Sequence, residues 1–108
     1  MITAEALFCG SASELRVEGH AEYAKCGRDI VCAGVSALCG ALSAHLSELE
    51  KAGKVAVKEL MMQKGRFYCR LWDLGGRCGR SAVEQTCAGL TLIAEGYPEH
   101  LSLAREYR

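Results

Sequence analysis

The 108-residue chain has no excess of charge of either sign. Thirteen lysines and arginines balance thirteen aspartates and glutamates, and the two signs are mixed along the chain. A protein that binds nucleic acid through bulk electrostatics needs a basic excess. The balance therefore argues against direct nucleic-acid binding.

Patterns typical of export or membrane insertion are also missing. The first ten residues, MITAEALFCG, contain no basic region, and their apolar run is shorter than that of a signal peptide. We expect no stretch long enough to span a membrane. These absences predict a cytoplasmic protein, in a compartment that keeps thiols reduced, with no membrane partner.

Seven cysteines are many for a short chain, but no two of them form a CxxC pair. Zinc sites usually contain such a pair, so we expect no metal site. Free cysteine usually packs as a small buried hydrophobe, and we expect that role for the cysteines other than Cys32. These are Cys9, Cys39, Cys69, Cys78 and Cys87, whereas Cys26 is an exception because it lies in the same loop as His20 and could be oxidised onto Cys32.

Hydrophobic periodicity predicts seven secondary-structure elements. Strands are predicted at 1–8, 15–18, 55–62, 66–71 and 101–104, and helices at about 29–51 and 81–96. The first four strands form two hairpins, the second with Lys64 and Gly65 at its tip. The prediction is a single domain over residues 1–108 with an α+β (α/β two-layer) fold. Its element order is ββαββαβ, a mixed sheet with two helices packed on it.

Local signals place the ends and contacts of the helices. Ser81 and Glu84 have the spacing of a capping box, which predicts the start of the second helix. The segment 72–79 before it is predicted to be a loop. Gly34 and Gly40 are costly inside a helix, so we expect another backbone to pack closely against them.

The stretch 19–38, GHAEYAKCGRDIVCAGVSAL, contains the candidate site. Asp29 is a good N-cap, which puts Cys32 at the third helical position, where the helix dipole favours the reactive thiolate. The dipole supplies only about 0.3–1 kcal/mol, and the Asp29 charge opposes it. Strong stabilisation of the Cys32 thiolate therefore needs a cationic side chain in addition to the dipole. His20 is the candidate, and Ser36 lies one turn beneath Cys32.

The segment 20–28 is predicted to be a mobile surface loop between the two candidate residues. Backbone N–H groups at the start of the helix, close to Cys32, are the expected donors to an oxyanion. His45 is expected to be solvated, and His100 has no partner visible in the sequence. We therefore expect neither histidine to be a catalytic base.

The sequence resembles the bacterial ribosomal-processing cysteine protease family, Prp. The resemblance extends over essentially the whole chain and includes the order of the elements. It rests on Gly19-His20-Ala21, Gly27, Asp29-Ile30-Val31-Cys32-Ala33, Val35-Ser36-Ala37-Leu38, Gly89-Leu90, Ile93-Ala94-Glu95 and Tyr97-Pro98-Glu99.

The resemblance implies a cysteine endopeptidase without a cofactor, in which Cys32 is the nucleophile and His20 the general base and acid. Gly19, Asp29 and Ser36 would support the site. The implied substrate is the N-terminal extension of a large-subunit ribosomal protein, with an apolar, phenylalanine-bearing stretch before the cut. The implied assembly is a homodimer. Glu22 stands where the family commonly has glycine, which bears on substrate preference more than on the chemistry.

Two other functions stay open at this point. A thiol redox sensor would use a reversible disulfide between Cys26 and Cys32 and would not hydrolyse peptides. A non-enzymatic, ribosome-associated binding module would need a basic face. The residues that hint at such a face are Lys51, Lys54, Lys58, Lys64 and Arg66.

Overall fold

The computed structural model describes residues 1–25 and 28–108, so Cys26 and Gly27 lie outside the described residues. Five strands and two helices follow one another in the predicted order ββαββαβ. They are β1 (Ile2–Cys9), β2 (Ala12–Glu18), α1 (Ile30–Lys51), β3 (Val55–Gln63), β4 (Arg66–Asp73), α2 (Cys78–Gly96) and β5 (Leu101–Tyr107).

The strands form one mixed sheet in the order β3-β4-β2-β1-β5. β1 and β2 form the first predicted hairpin and β3 and β4 the second, with Gln63 opposite Arg66 around the tip. β2 also pairs with β4 in antiparallel orientation, whereas β5 joins β1 in parallel. The predicted fold class, a mixed sheet with two helices, is confirmed.

The core lies between the sheet and the helices because the strands alternate buried and exposed side chains. In β1, Ile2, Ala4, Ala6 and Phe8 are buried, and the residues between them are exposed or half-buried. These side chains belong to one cluster with the buried face of α1, which includes the fully buried Leu46. The two helices thus cover a single apolar face of the sheet.

Helix α1 corrects two expectations from the sequence. It is 22 residues long with a mean hydropathy of 1.7 in its most apolar window, so it is long and apolar enough to cross a membrane. Core helices of soluble proteins also have this property, and five of its side chains are buried in the core cluster. Its glycines contact side chains instead of backbone: a Cβ would lie 3.2 Å from Ile93 at Gly34 and 3.7 Å from Met62 at Gly40.

Helix α2 begins earlier than the capping box predicts. It starts at Cys78, so Ser81 lies inside the helix. The Asp73 carboxylate, at the end of β4, accepts from the N–H groups of Gly79 at 2.7 Å and Arg80 at 3.0 Å. Because a side chain from the preceding strand satisfies these free donors, the helix needs no cap of its own. The predicted loop 72–79 is therefore reduced to 74–77.

Candidate active site

Cys32 lies in the first turn of α1, and Asp29 is the N-cap as predicted. The Asp29 Oδ1 atom accepts from the N–H of Cys32 at 3.0 Å. This hydrogen bond is the largest of the effects that lower the pKa of the Asp29 carboxyl, and burial partly opposes it. Asp29 is therefore a carboxylate at neutral pH, and it fixes the backbone that carries the sulfur.

The same carboxylate holds the loop before the helix. Its Oδ2 atom accepts from the N–H groups of Tyr23 at 3.0 Å and Ala24 at 3.4 Å. Glu22, between this contact and the end of β2, has a φ of 56°. A non-glycine residue in that left-handed region costs about 1–2 kcal/mol, so the backbone at Glu22 is strained.

The Cys32 sulfur is half-buried and accepts a hydrogen bond from the backbone N–H of Ala21 at 3.3 Å. Ala21 is buried, with 1% of its surface exposed, so this residue of the predicted surface loop lies inside the protein. The N–H groups of Cys32 and Ala33 already donate to Asp29. The amide that donates to the sulfur thus comes from the loop, whereas the N–H groups of Cys32 and Ala33 at the helix start, where the oxyanion donors were expected, are bound to Asp29.

His20 is exposed and its ring lies against the tip of the second hairpin. A Cβ on Gly65 would be 2.8 Å from both Cε1 and Nε2 of the ring. Gly65 has a φ of 77°, which glycine adopts readily, and its carbonyl accepts from the N–H of Gly19 at 2.9 Å. The hairpin tip therefore positions the histidine, a role that sequence reasoning missed.

One cavity of about 570 Å³ joins these groups. All five predicted site residues line it: Gly19, His20, Asp29, Cys32 and Ser36. Apolar side chains from β2, α1 and β4 also line it, including Val17, Val35 and Phe67. The arrangement offers a sulfur nucleophile, an imidazole and an apolar surface to one bound molecule.

His100 has a partner that the sequence did not reveal. Its Nδ1 atom lies 2.7 Å from the carbonyl oxygen of Ala21, and its ring meets the Tyr23 ring edge-on at 5.3 Å. The contact joins residues 79 positions apart, so local patterns carried no signal for it.

The remaining cysteines divide into two groups. Cys39, Cys69 and Cys87 are buried as predicted, whereas Cys9 and Cys78 are exposed, so the prediction of burial was wrong for these two. Cys26, and with it the predicted alternative of a Cys26–Cys32 disulfide, lies outside the described residues. Within residues 1–25 and 28–108, no group of three or more histidine, cysteine or acidic side chains could hold a metal ion.

Comparison with known proteins gives concordant matches in sequence and structure. The family described as Cysteine protease Prp matches residues 1–102. The ribosomal processing cysteine protease Prp of Staphylococcus aureus (strain Mu50) is 27% identical over 95 residues, which cover 87% of each chain.

Solved structures show the same architecture. A crystal structure of an essential ribosomal processing protease Prp from S. aureus, with a covalently linked product peptide, has a TM-score of 0.78 at 25% identity and full coverage of both chains. A Streptococcus mutans protein shares the fold, with a TM-score of 0.69 at 24% identity. The match covers 100% of this chain and 96% of that chain. The chain belongs to the Prp family of cysteine proteases.

Proposed function

We propose that this protease removes the N-terminal extension of a bacterial large-subunit ribosomal protein, with Cys32 as nucleophile and His20 as general base and acid. The observation that carries the proposal is that Cys32 and His20, from different elements, line one open cavity. The match to ribosomal processing proteases over nearly the whole chain supports the choice of substrate.

The reaction proceeds through a thioester. The Cys32 thiol gives its proton to His20, and the resulting thiolate attacks the scissile carbonyl carbon and forms a C–S bond and an oxyanion. The C–N bond then breaks, and the His20 imidazolium gives its proton to the leaving amine. Water attacks the thioester and gives one proton to His20, and the C–S bond breaks to release the thiolate and the carboxylic acid, which loses its proton to solvent.

Both partners need defined positions for these steps. The Ala21 N–H, already directed at the sulfur, is the candidate donor to the oxyanion. The His20 ring lies against Gly65, and we expect substrate binding to bring it to the sulfur, since catalytic hydrogen bonds often tighten only in the substrate complex. Asp29 and Ser36 support the start of α1 and the cavity wall.

The cavity supports the expected substrate preference. Val17, Val35 and Phe67 give it an apolar surface, which suits the phenylalanine-bearing stretch before the cut. We also propose that the protein acts in the cytoplasm as a homodimer, without a cofactor and without direct contact with nucleic acid or a membrane.

The test is cleavage of a peptide that covers the N-terminal segment of the large-subunit ribosomal protein, read by mass spectrometry. We expect Cys32→Ala to lower kcat/KM by about four orders of magnitude or more, because the nucleophile is lost. Cys78→Ala is the matched control, since this exposed thiol at the start of α2 is not among the residues that line the cavity.

Two results would decide against the proposal, and a third would invalidate the assay. Cleavage by Cys32→Ala at the wild-type rate would refute the nucleophile. Equal loss of activity in Cys78→Ala would show that the assay does not report on the site. Wild-type protein that leaves the peptide intact would refute the substrate.

A further inference from the structure

His100 is held rigidly at the junction between α2 and β5. Its N–H donates to the Tyr97 carbonyl and its own carbonyl accepts from the N–H of Ile2, both at 2.9 Å. Its ring is half-buried and packs edge-on against Tyr23. The backbone of His100 is therefore tied to β1 and to the end of α2, and its ring has a fixed direction.

The ring donates a hydrogen bond to the loop that faces the nucleophile. The Ala21 carbonyl can only accept, so the Nδ1 atom of His100, 2.7 Å away, carries the proton of this contact. On the other side of the same residue, the Ala21 N–H donates to the Cys32 sulfur. Ala21 is thus held between His100 and the reacting atom.

The loop needs such an anchor because its next residue is strained. Glu22 has a φ of 56°, and the carbonyl that His100 holds belongs to the peptide between Ala21 and Glu22. Strained backbone persists only where its surroundings determine it. The Ala21 N–H belongs to the preceding peptide, so His100 acts on it by fixing the position of Ala21, and without this contact Ala21 would be free to shift and its N–H to leave the sulfur.

We propose that His100 is a positioning residue that keeps the backbone N–H of Ala21 directed at the Cys32 sulfur. The inference rests on the proposed function of Cys32 as nucleophile. Its action passes through Ala21, and the group that it orients supports the thiolate and then the oxyanion.

Two substitutions separate the hydrogen bond from the packing of the ring. His100→Phe keeps an aromatic ring against Tyr23 but removes the donor. His100→Asn places an amide nitrogen near the Nδ1 position and keeps the donor. His45→Ala is the control for loss of a histidine, since His45 is exposed on α1 and is not among the residues that line the cavity.

The readout is the pH at which alkylation of Cys32 by iodoacetamide is half-maximal, measured on the peptide that contains Cys32. It does not depend on cleavage. The ionisable groups that line the cavity or belong to the aromatic contacts around Tyr23 and His100 stay unchanged in all three variants. They are His20, Glu22, Tyr23, Asp29, Cys39, Lys64, Arg66 and Tyr97.

We expect His100→Phe to raise the alkylation midpoint by about one pH unit, since hydrogen bonds to charged groups have that order of strength. We expect kcat to fall about tenfold with little change in KM. His100→Asn should restore both values to within about threefold of wild type, and His45→Ala should leave them unchanged. Should His100→Phe not fold, His100→Ala supplies the donor-free variant.

A donor-free variant with the wild-type midpoint and kcat would overturn the inference, and so would His100→Asn behaving like His100→Phe. If the wild type does not cleave the ribosomal peptide, the proposed function fails, but the alkylation midpoints still decide the role of His100. If Cys32→Ala abolishes cleavage while His100→Phe behaves as wild type, only the inference about His100 fails.

Discussion

At the residue scale, the surroundings of each thiol decide whether it can react. Burial raises the pKa of Cys39 to about 11 and that of Cys69 to about 12, and it also raises the pKa of Cys87. The Cys32 sulfur is instead half-buried, lines the cavity and accepts an N–H from Ala21. The fold therefore keeps three thiols protonated in the core and opens one to substrate.

Alkylation of the native protein at pH 8 tests this division. We expect Cys9, Cys32 and Cys78 to be labelled, because they are exposed or line the cavity. With a pKa of about 11, only about one Cys39 thiol in a thousand is ionised at this pH, and Cys69 even less, so both should stay unlabelled.

The measurement is peptide mapping after a timed reaction. The control is the same reaction in denaturant, where the buried thiols should be labelled as well. Labelling of Cys69 in the native protein as fast as that of Cys78 would contradict the prediction.

The site residues differ in how far they were predictable. The Asp29 cap joins residues three positions apart, so a local pattern was sufficient to predict it. The sequence also placed Cys32 and His20 on either side of one loop. The contacts of Ala21 with His100 and of His20 with Gly65 depend on strands and loops distant in sequence, and no local pattern encodes them.

At the element scale, the two helices use glycine differently. At Gly40 in α1, a Cβ would lie in ordinary contact, 3.7 Å from the flexible end of Met62. At Gly79 in α2, a Cβ would overlap Leu71 and lie 2.9 Å from Val55 and 3.0 Å from the Asp73 Oδ1 atom. Gly79 is therefore required by packing and by the Asp73 contact, whereas Gly40 is not.

Alanine substitutions should thus have opposite effects on stability. We expect Gly40→Ala to raise the free energy of unfolding by about 0.5–1 kcal/mol, because alanine is the better helix former. We expect Gly79→Ala to lower it by about 1–3 kcal/mol through overpacking. Urea denaturation measures both values. A stabilised Gly79→Ala variant, or a Gly40→Ala variant destabilised by more than 1 kcal/mol, would contradict the packing described.

The elements themselves were predictable because the strands alternate and the helices have a regular apolar period. The start of α2 was not, since its free N–H groups bind Asp73, which lies across a loop from them. The Ser81–Glu84 pattern was present without forming a cap. The strand order β3-β4-β2-β1-β5 likewise follows from packing between elements that are distant in sequence.

At the scale of the whole molecule, the charge is balanced in total and around two arginines of the second hairpin. The formal net charge is zero. On the second hairpin, Arg66 lies 3.8 Å from Glu18 and Arg70 lies 3.0 Å from Glu59. These basic residues have acidic neighbours, which weakens the case for a basic face that binds ribosomal RNA.

Binding to an RNA fragment should therefore be weak. We expect a Kd above about 10⁻⁵ M at 150 mM salt by fluorescence anisotropy, within the range of non-specific binding. The variant with Glu18→Gln and Glu59→Gln, which frees both arginines, should bind more tightly and shows that the assay responds to charge. A micromolar or tighter Kd for wild type, with a steep salt dependence, would favour the binding-module alternative.

The contact between His20 and Gly65 has a consequence for engineering new specificities. Any side chain at position 65 would displace the His20 imidazole. Variants in a library at this position would therefore lose activity, whatever peptide they bind. At Gly76 an added Cβ has no neighbour within 4 Å, so this position accepts side chains, whereas Gly75 has a φ of 99° and should stay glycine. Directed evolution of this scaffold should therefore leave the tip of the β3–β4 hairpin invariant and place new sequence at the opposite end of β4.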